Sequence, residues 1–349
     1  MSNDAVETPR PSSLQVGRPA GTRYSHRLRR WGRGLVWGSL AILGLLGTAY
    51  LALGFHIVVS CGLPAVSQAG GWPSPDLLAP ARYPATSWPL LIGHSGSTYW
   101  CQRNTLGCLS RSLELGATML EVDIRLSGDG YLVAFHDADV DHQTDGTGAV
   151  RSLTHEQLRT LTVGPNFTPP EAEADASPAL QSQRVSLLEE VRQAFPGVPL
   201  LIDVKSHTSP MDDALVAFVR RFRAPDFDHI YIKTRSQRLA NRLRRLPQPP
   251  KTGLTLCERI AFVAFPGLVA SPPGVLDLPL WLASPSLVKR AMAAGHLVVV
   301  SMVNEPQAFQ KTLALPGVFG IVTDRPEMAF QMRQPEPNTL GEKLTKEPS

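Results

Sequence analysis

From Leu90 to about residue 333 the sequence alternates short apolar, β-branched runs with longer runs of helical spacing, and this restricts the possible folds more than any other feature. "PLLIGH", "TMLEVDI", "YLVAF", "VPLLIDVK", "HIYIKT", "KTGLTL", "HLVVVSMVN" and "GVFGIVTDRP" read as strands. "NTLGCLSRSLELG", "SLTHEQLRTL", "SLLEEVRQAF" and "SPSLVKRAMAAG" read as helices. The second of these opens on Ser152 or Thr154 followed by Glu156 or Gln157, a capping signature. Alternating β and α over roughly 240 residues predicts an α/β domain with parallel strands, whose closed form is a (β/α)8 TIM-type barrel. One interval breaks the regularity. Between Asp123 and Tyr131 there is no room for the crossover helix that a parallel connection needs.

Polar side chains with chemical potential fall at or near the C-terminal ends of these strands: His94, Glu121 and Asp123, His136, Asp203 and Lys205, Asn304, and Asp324. In a barrel of this kind that is the face where active sites lie. Glu121 and Asp123 are two apart in a strand, so both project from one face, about 6–7 Å apart along the chain. Two carboxylates so placed repel unless a positive charge lies between them. A hard divalent cation takes such oxygens, and Lys205 is an alternative counter-charge. A histidine at a strand end is suited to proton transfer near neutral pH. The plainer reading of the stretch is an edge strand with one solvated face. Asn304 and Asp324 read as loop caps, and His142 and His207 as surface histidines. Trp88, Tyr99 and Trp100 line a groove, meet a membrane surface or pack in the core.

The net charge of +4 is concentrated at one end. Residues 1–33 hold seven arginines against Asp4 and Glu7, a balance of +5 that leaves the remainder at −1. A body of that charge gives no case for nucleic-acid binding. From Arg33 the next Asp, Glu, Lys or Arg is Asp76, and Gly34 to Val59 is almost wholly apolar. That run exceeds the ~20 residues of a membrane-spanning helix. Arginines upstream and none just downstream predict a single-pass anchor in the cytoplasmic membrane, N-terminus inside and the rest extracytoplasmic. A cleaved secretory signal ending near Ser67-Gln68-Ala69, and a lipoprotein site at Val58-Val59-Ser60-Cys61, stand beside it as alternatives. The expected organisation is a basic tail over 1–33, an anchor over 34–59, and a Gly/Pro/Ser/Ala-rich linker over 60–88. A barrel domain over 89–333 and a polar tail over 334–349 follow. Residues 164–183 read as a long Pro- and Ala-rich loop. Outside the cytoplasm Cys61, Cys101, Cys108 and Cys257 are free to form disulfides. Cys101 and Cys108 are near enough in sequence to bridge locally, but four cysteines allow three pairings.

The run "HSG…RNTL…ELGATMLEVDIRLSGDGYLVAFHDADVDHQTDGTG", followed by "LIDVK" and "GIVTDRP", resembles the signature of glycerophosphodiester phosphodiesterases, relatives of phosphatidylinositol-specific phospholipase C. The likeness extends over about Leu90 to Pro326. It implies a barrel enzyme that hydrolyses phosphodiesters with two histidines and a divalent cation, Mg²⁺, Ca²⁺ or Mn²⁺. His94 and His136 match the catalytic pair, and Glu121 and Asp123 match metal carboxylates. Asp203 takes the place of the third carboxylate, and Lys205 matches a lysine near the phosphate. The family's His-Arg-Gly is His94-Ser95-Gly96 here, so a bidentate phosphate contact is missing. Its Glu-Asn-Thr is Arg103-Asn104-Thr105, and Arg103 is a candidate substrate contact that restores positive charge from another direction. The implied substrates are glycerophosphodiesters or related lipid head groups. The alternatives are a phospholipase acting on intact or lyso-phospholipids, and an inactive barrel that serves as a binding protein.

Overall fold

The computed structural model describes residues 45–56, 59, 89–165, 167, 183–222, 229–266 and 272–333. The basic tail, the linker over 60–88 with Cys61 and Trp88, the polar tail and most of the loop over 164–183 lie outside these residues. Of the expected anchor, residues 45–56 are described and are helical. No helix among the described residues is long and apolar enough to cross a membrane. Residues 1–56 and 57–349 form separate compact units.

Within the second unit the strands are β1 (Leu90–Gly93), β2 (Met119–Leu126), β3 (Leu132–Ala134), β4 (Thr162–Val163), β5 (Gln183–Arg184) and β6 (Leu200–Val204). They continue with β7 (Ile230–Lys233), β8 (Lys251–Thr252), β9 (Val275–Pro279), β10 (Leu297–Ser301) and β11 (Val318–Thr323). The helices are α1 (Leu106–Glu114), α2 (His155–Thr160), α3 (Leu188–Ala194), α4 (Ser209–Val219) and α5 (Gln237–Arg244). After them come α6 (Leu256–Ala264), α7 (Pro285–Ala293), α8 (Pro306–Leu313) and α9 (Pro326–Arg333). Eight strands pair in parallel in the order β8-β7-β6-β2-β1-β11-β10-β9. A parallel bridge from Gly253 to Val275 joins the two ends. The result is a near-closed barrel, as the alternation predicts. The irregular interval after Asp123 is a hairpin: Asp129-Gly130 turns the chain, and β3 returns antiparallel to β2, outside the barrel order. β4 and β5 pair in a small separate sheet beyond it.

Hydroxyl side chains start six of these helices. Thr105, Thr208, Ser236 and Ser284 each accept a bond from a backbone N–H in the first turn of the helix they cap. Thr154 with Gln157 and Thr255 with Glu258 form full capping boxes. Gly93 ends β1 where a Cβ would stand 1.8 Å from Ser112 Oγ, so only glycine lets β1 and α1 approach this closely. Cys101 and Cys108 form a disulfide across the loop that leads into α1, and Cys257 is also disulfide-bonded.

The strand alternation sorts side chains into two shells. Leu120, Val122, Ile124, Leu200, Ile202 and Val204 face outward and pack with Leu109, Leu188, Val191, Met211 and Leu215 of the helices. Leu90, Ile92, Met119, Leu201, Tyr231, Val275, Val299, Phe319 and Val322 form an apolar cluster inside the barrel. Each fully buried aliphatic side chain of this kind contributes about 1.5–3 kcal/mol, a floor beneath the charged layer above. The short β8 leaves a weak seam. Arg244 spans it, binding Glu258 with Nη1–Oε1 2.6 Å and Nη2–Oε2 3.0 Å, Thr252 Oγ1 at 2.8 Å and the Gly253 carbonyl at 3.2 Å. Burial raises the Glu258 carboxyl, but the Arg244 guanidinium outweighs it and holds that group below its ordinary range.

Candidate active site

Two residues beyond the apolar floor, the inward positions turn polar on strand after strand. Met119 is followed by Glu121 and Asp123, Leu201 by Asp203 and Lys205, Tyr231 by Lys233, Val275 by Asp277, and Val299 by Ser301. With His94 at the end of β1, these side chains line one cleft of about 480 Å³ at the C-terminal end of the barrel, together with His136, Arg125, Arg235 and Arg259. Asp123 lies beneath them, fully buried.

Six of the seven residues singled out from sequence converge here. Glu121, Asp123 and Asp203 bring carboxylate oxygens to within 4.8 Å of one another. Asp123 and Asp203 are directly paired across β2 and β6. Lys205 Nζ lies 2.9 Å from Asp123 Oδ1 and 3.0 Å from Asp203 Oδ2. Arg103 is the exception. It lines a separate recess with Gln102, Asp137, Gln143 and Phe167, outside the cleft.

Ser95 and Asn104 account for the altered motif. Ser95 donates its backbone N–H to Glu121 Oε2 (3.2 Å) and its hydroxyl to Asp123 Oδ2 (2.6 Å). Asn104 Nδ2 donates to the same Asp123 oxygen at 2.9 Å, and Asn104 Oδ1 accepts from the Asp123 backbone N–H at 2.9 Å. Both residues hold left-handed backbone, φ 48° and 61°, a conformation that non-glycine residues keep where surrounding bonds fix it. The serine thus orients the carboxylates rather than reaching a phosphate.

His94 Nδ1 is 2.7 Å from Asp324 Oδ1, and its Nε2 faces Glu121 Oε2 at 3.6 Å. Asp324 is itself held: Asn304 Nδ2 donates to its Oδ2 at 2.7 Å, and Thr98 donates to Oδ1. Burial disfavours the His94 imidazolium, but the bond to Asp324 and the charges of Glu121, Asp324 and Asp123 outweigh it and raise its pKa. His136 sits nearer the rim, its Nδ1 2.7 Å from Asp137 Oδ1. Asp324 and Asn304, read from sequence as loop caps, therefore fix a catalytic candidate in place.

Lys233 and Asp277 went unread in the sequence. Lys233 Nζ lies 2.6 Å from Asp277 Oδ2, 3.4 Å from Asp203 Oδ2 and 4.0 Å from Glu121 Oε1. Ser301 Oγ donates to the same aspartate. Burial raises the Asp277 carboxyl, and Lys233 and Ser301 more than reverse this. Tyr99 and Trp100 stand apart from the cleft lining. Arg325 lies 4.4 Å from the Tyr99 ring centroid, and Trp100 Nε1 donates to Glu327 at 3.0 Å.

The donor set fits a hard divalent cation. It is all carboxylate oxygen, and it is short of positive charge at Glu121. Burial pushes the Glu121 carboxyl up to about 7, His94 and Lys233 offset this only in part, and Asp123 and Asp203 add to it. Asp123 goes the other way, to about 2: burial raises it, but Lys205, Asn104 and Ser95 prevail. Apart from Lys205 Nζ at 2.9 Å, the buried Asp123 Oδ1 has no partner among the described residues, which leaves it room for a cation.

Comparison with known proteins agrees with this geometry. The glycerophosphoryl diester phosphodiesterase family matches over residues 93–328. A glycerophosphodiester phosphodiesterase of Caldanaerobacter subterraneus is 40% identical over 78 residues, 22% of this chain and 32% of its own length. Human glycerophosphodiester phosphodiesterase 1 is 32% identical over 132 residues, 38% of each chain. The chain thus spans well under half the length of these two relatives. Among solved structures, the glycerophosphoryl diester phosphodiesterase domain of a Mycobacterium tuberculosis protein superposes with a TM-score of 0.60 at 20% identity, covering 70% of this chain and 99% of that one. An Oleispira antarctica phosphodiesterase in complex with sn-glycerol-3-phosphate gives 0.57 at 21% identity, covering 70% and 96%. At such identities the structural likeness speaks for the fold.

Proposed function

Because the chain belongs to the glycerophosphoryl diester phosphodiesterase family, we propose that it hydrolyses glycerophosphodiesters at the barrel mouth, with Glu121, Asp123 and Asp203 as ligands of a divalent cation and His94 and His136 as proton carriers. The observation that carries this reading is the convergence of both histidines on the cleft above those three carboxylates. When bound, the cation neutralises phosphate charge and stabilises the charge that builds in the transition state. The proton traffic belongs to the side chains. With its Nδ1–H given to Asp324, His94 presents Nε2 as an acceptor deep in the cleft, and it removes the proton of the nucleophile. We take that nucleophile to be a neighbouring substrate hydroxyl, which gives a cyclic phosphate that water then opens; direct attack by water is the alternative. His136, nearer solvent, protonates the departing alkoxide. Lys205 stands beside the carboxylates as the phosphate contact.

We place this enzyme at the cytoplasmic membrane, anchored through residues 34–59, with the barrel outside. The apolar run and the arginines upstream of it support that placement. The rival of another class is an inactive barrel that only binds its ligand. His136→Ala separates the two: glycerophosphocholine turnover is expected to fall at least ~10²-fold with an unchanged circular dichroism spectrum. Turnover equal to wild type in the folded variant would reject catalysis by this site.

A further inference from the structure

The cleft is asymmetric, and the asymmetry is built by strand alternation. On three adjacent strands the inward face continues beyond the carboxylate layer with basic residues: Asp123 is followed by Arg125, Asp203 by Lys205 and His207, and Lys233 by Arg235. Arg259 of α6 adds a fourth cationic position on that side. The opposite side of the mouth, at the end of β10, offers Ser301 and Met302 above the floor residues Val299 and Val322.

The cations of this wall differ in how far they are committed. Lys205 and Lys233 are tied to aspartates. Among the described residues, Arg125 spends only its Nε, on the His136 carbonyl at 2.7 Å. Its nearest acidic neighbour toward the rim, Asp137, is bonded to His136. Arg259 gives Nη1 to the Asp277 carbonyl at 3.3 Å, and its buried Nε has no partner among the described residues. Arg235 is exposed and has no acceptor among the described residues. It stands close enough to His207 to push that imidazolium's pKa down, after burial the largest cause. A phosphodiester carries one negative charge, which the proposed cation and Lys205 meet. Arg125 and Arg235 follow that layer along their strands, and Arg259 reaches it from the side at Asp277. Among the described residues, the cleft lining includes no Phe, Tyr or Trp to receive a quaternary ammonium. Glu121, Asp123 and Asp203 are the carboxylates assigned to the cation, and Asp277 is bound by Lys233.

We propose that the wall formed by Arg125, Arg235 and Arg259 binds a second anion on the alcohol portion of the substrate, a phosphomonoester or carboxylate, and so selects glycerophosphodiesters with anionic head groups. This inference rests on the phosphodiesterase reading above. Guanidinium groups bond such anions in bidentate fashion, and a site that keeps donors for an absent group discriminates against the substrate that lacks it.

The test is kcat/KM of the full-length chain on four diesters: glycerophosphoinositol 4-phosphate, glycerophosphoserine, glycerophosphoglycerol and glycerophosphocholine. Wild type is expected to favour the first over the last by about tenfold or more. A matching preference for glycerophosphoserine assigns the wall to anions in general, and its absence assigns it to phosphomonoesters. In Arg235→Ala and Arg125→Gln the ratio of anionic to choline substrate is expected to fall severalfold, with unfolding temperatures near that of wild type. The preference also weakens as salt is raised. Equal or better use of the choline diester, or a ratio that neither variant changes, would overturn the inference and leave the phosphodiesterase standing. Hydrolysis of none of the four would defeat both.

Discussion

Glu121→Gln is expected to lower turnover by about 10³-fold or more while leaving the folded protein as stable as wild type, or more so, when no cation is present. The residue is 2% exposed, and its side chain is nearly isosteric with the replacement. Its carboxylate is one of three that converge within 4.8 Å, and a Lewis-acid cation bound there would supply several kcal/mol of transition-state stabilisation. Each 1.36 kcal/mol is a factor of ten in rate, so loss of one ligand accounts for a drop of that size. Stability moves the other way because burying a charged carboxylate beside Asp123 and Asp203 is more costly than burying an amide. The readout that separates this from general damage is the thermal shift with added Ca²⁺ or Mg²⁺. A ligand that binds only the native state raises the unfolding temperature of wild type by mass action, and this rise should vanish in the variant. Turnover within tenfold of wild type would remove Glu121 from the site.

The second large effect belongs to the His94–Asp324 pair. His94→Ala removes the proposed base and is expected to reduce kcat/KM by 10²- to 10⁴-fold. Asp324→Asn should fall in the same range although Asp324 is not itself a ligand or proton carrier. Its Oδ1 fixes the proton on His94 Nδ1, and an amide there can donate instead, favouring the tautomer whose Nε2 is already protonated and unable to accept. A triad in which aspartate is replaced by asparagine loses about 10⁴-fold by this route. Cation affinity, measured by calorimetry, should stay within a few-fold in Asp324→Asn, because Asp324 stands outside the carboxylate cluster. Retained turnover in that variant would mean that His94 works without a fixed tautomer, or does not act as the base.

Much of the site was legible from sequence, for a physical reason. A (β/α)8 fold places strand ends on one face, so His94, Glu121, Asp123, Asp203 and Lys205 announce themselves as charges ending apolar runs. What stayed hidden was hidden by context. Lys233 ends "HIYIK", where a lone lysine reads as a solvated strand terminus; only the barrel brings Asp277 to within 2.6 Å of it. Asp277 lies in "VLDLP", whose flanking prolines and glycine mask a five-residue strand. Asp324 follows Thr323 in a loop, and its partner His94 is 230 residues away in the chain. Arg103 shows the converse. It adjoins Asn104 in the motif, yet Asn104 holds a left-handed turn, and the two side chains serve different places, Asn104 the carboxylates and Arg103 a separate recess. Spacing alone does not report which way a turn throws its side chains.

Cation-dependent phosphodiester cleavage is the activity to which every assignment at the cleft leads. The most direct measurement is product release from glycerophosphodiesters by the full-length chain in detergent, with Mg²⁺, Ca²⁺ or Mn²⁺ supplied in turn and EDTA as the control. Release of alcohol and glycerol phosphate that is abolished by EDTA and restored by one of these ions is the predicted result. Cleavage that proceeds undiminished in EDTA, or a folded protein that cleaves none of these diesters with any of the three ions, would contradict it.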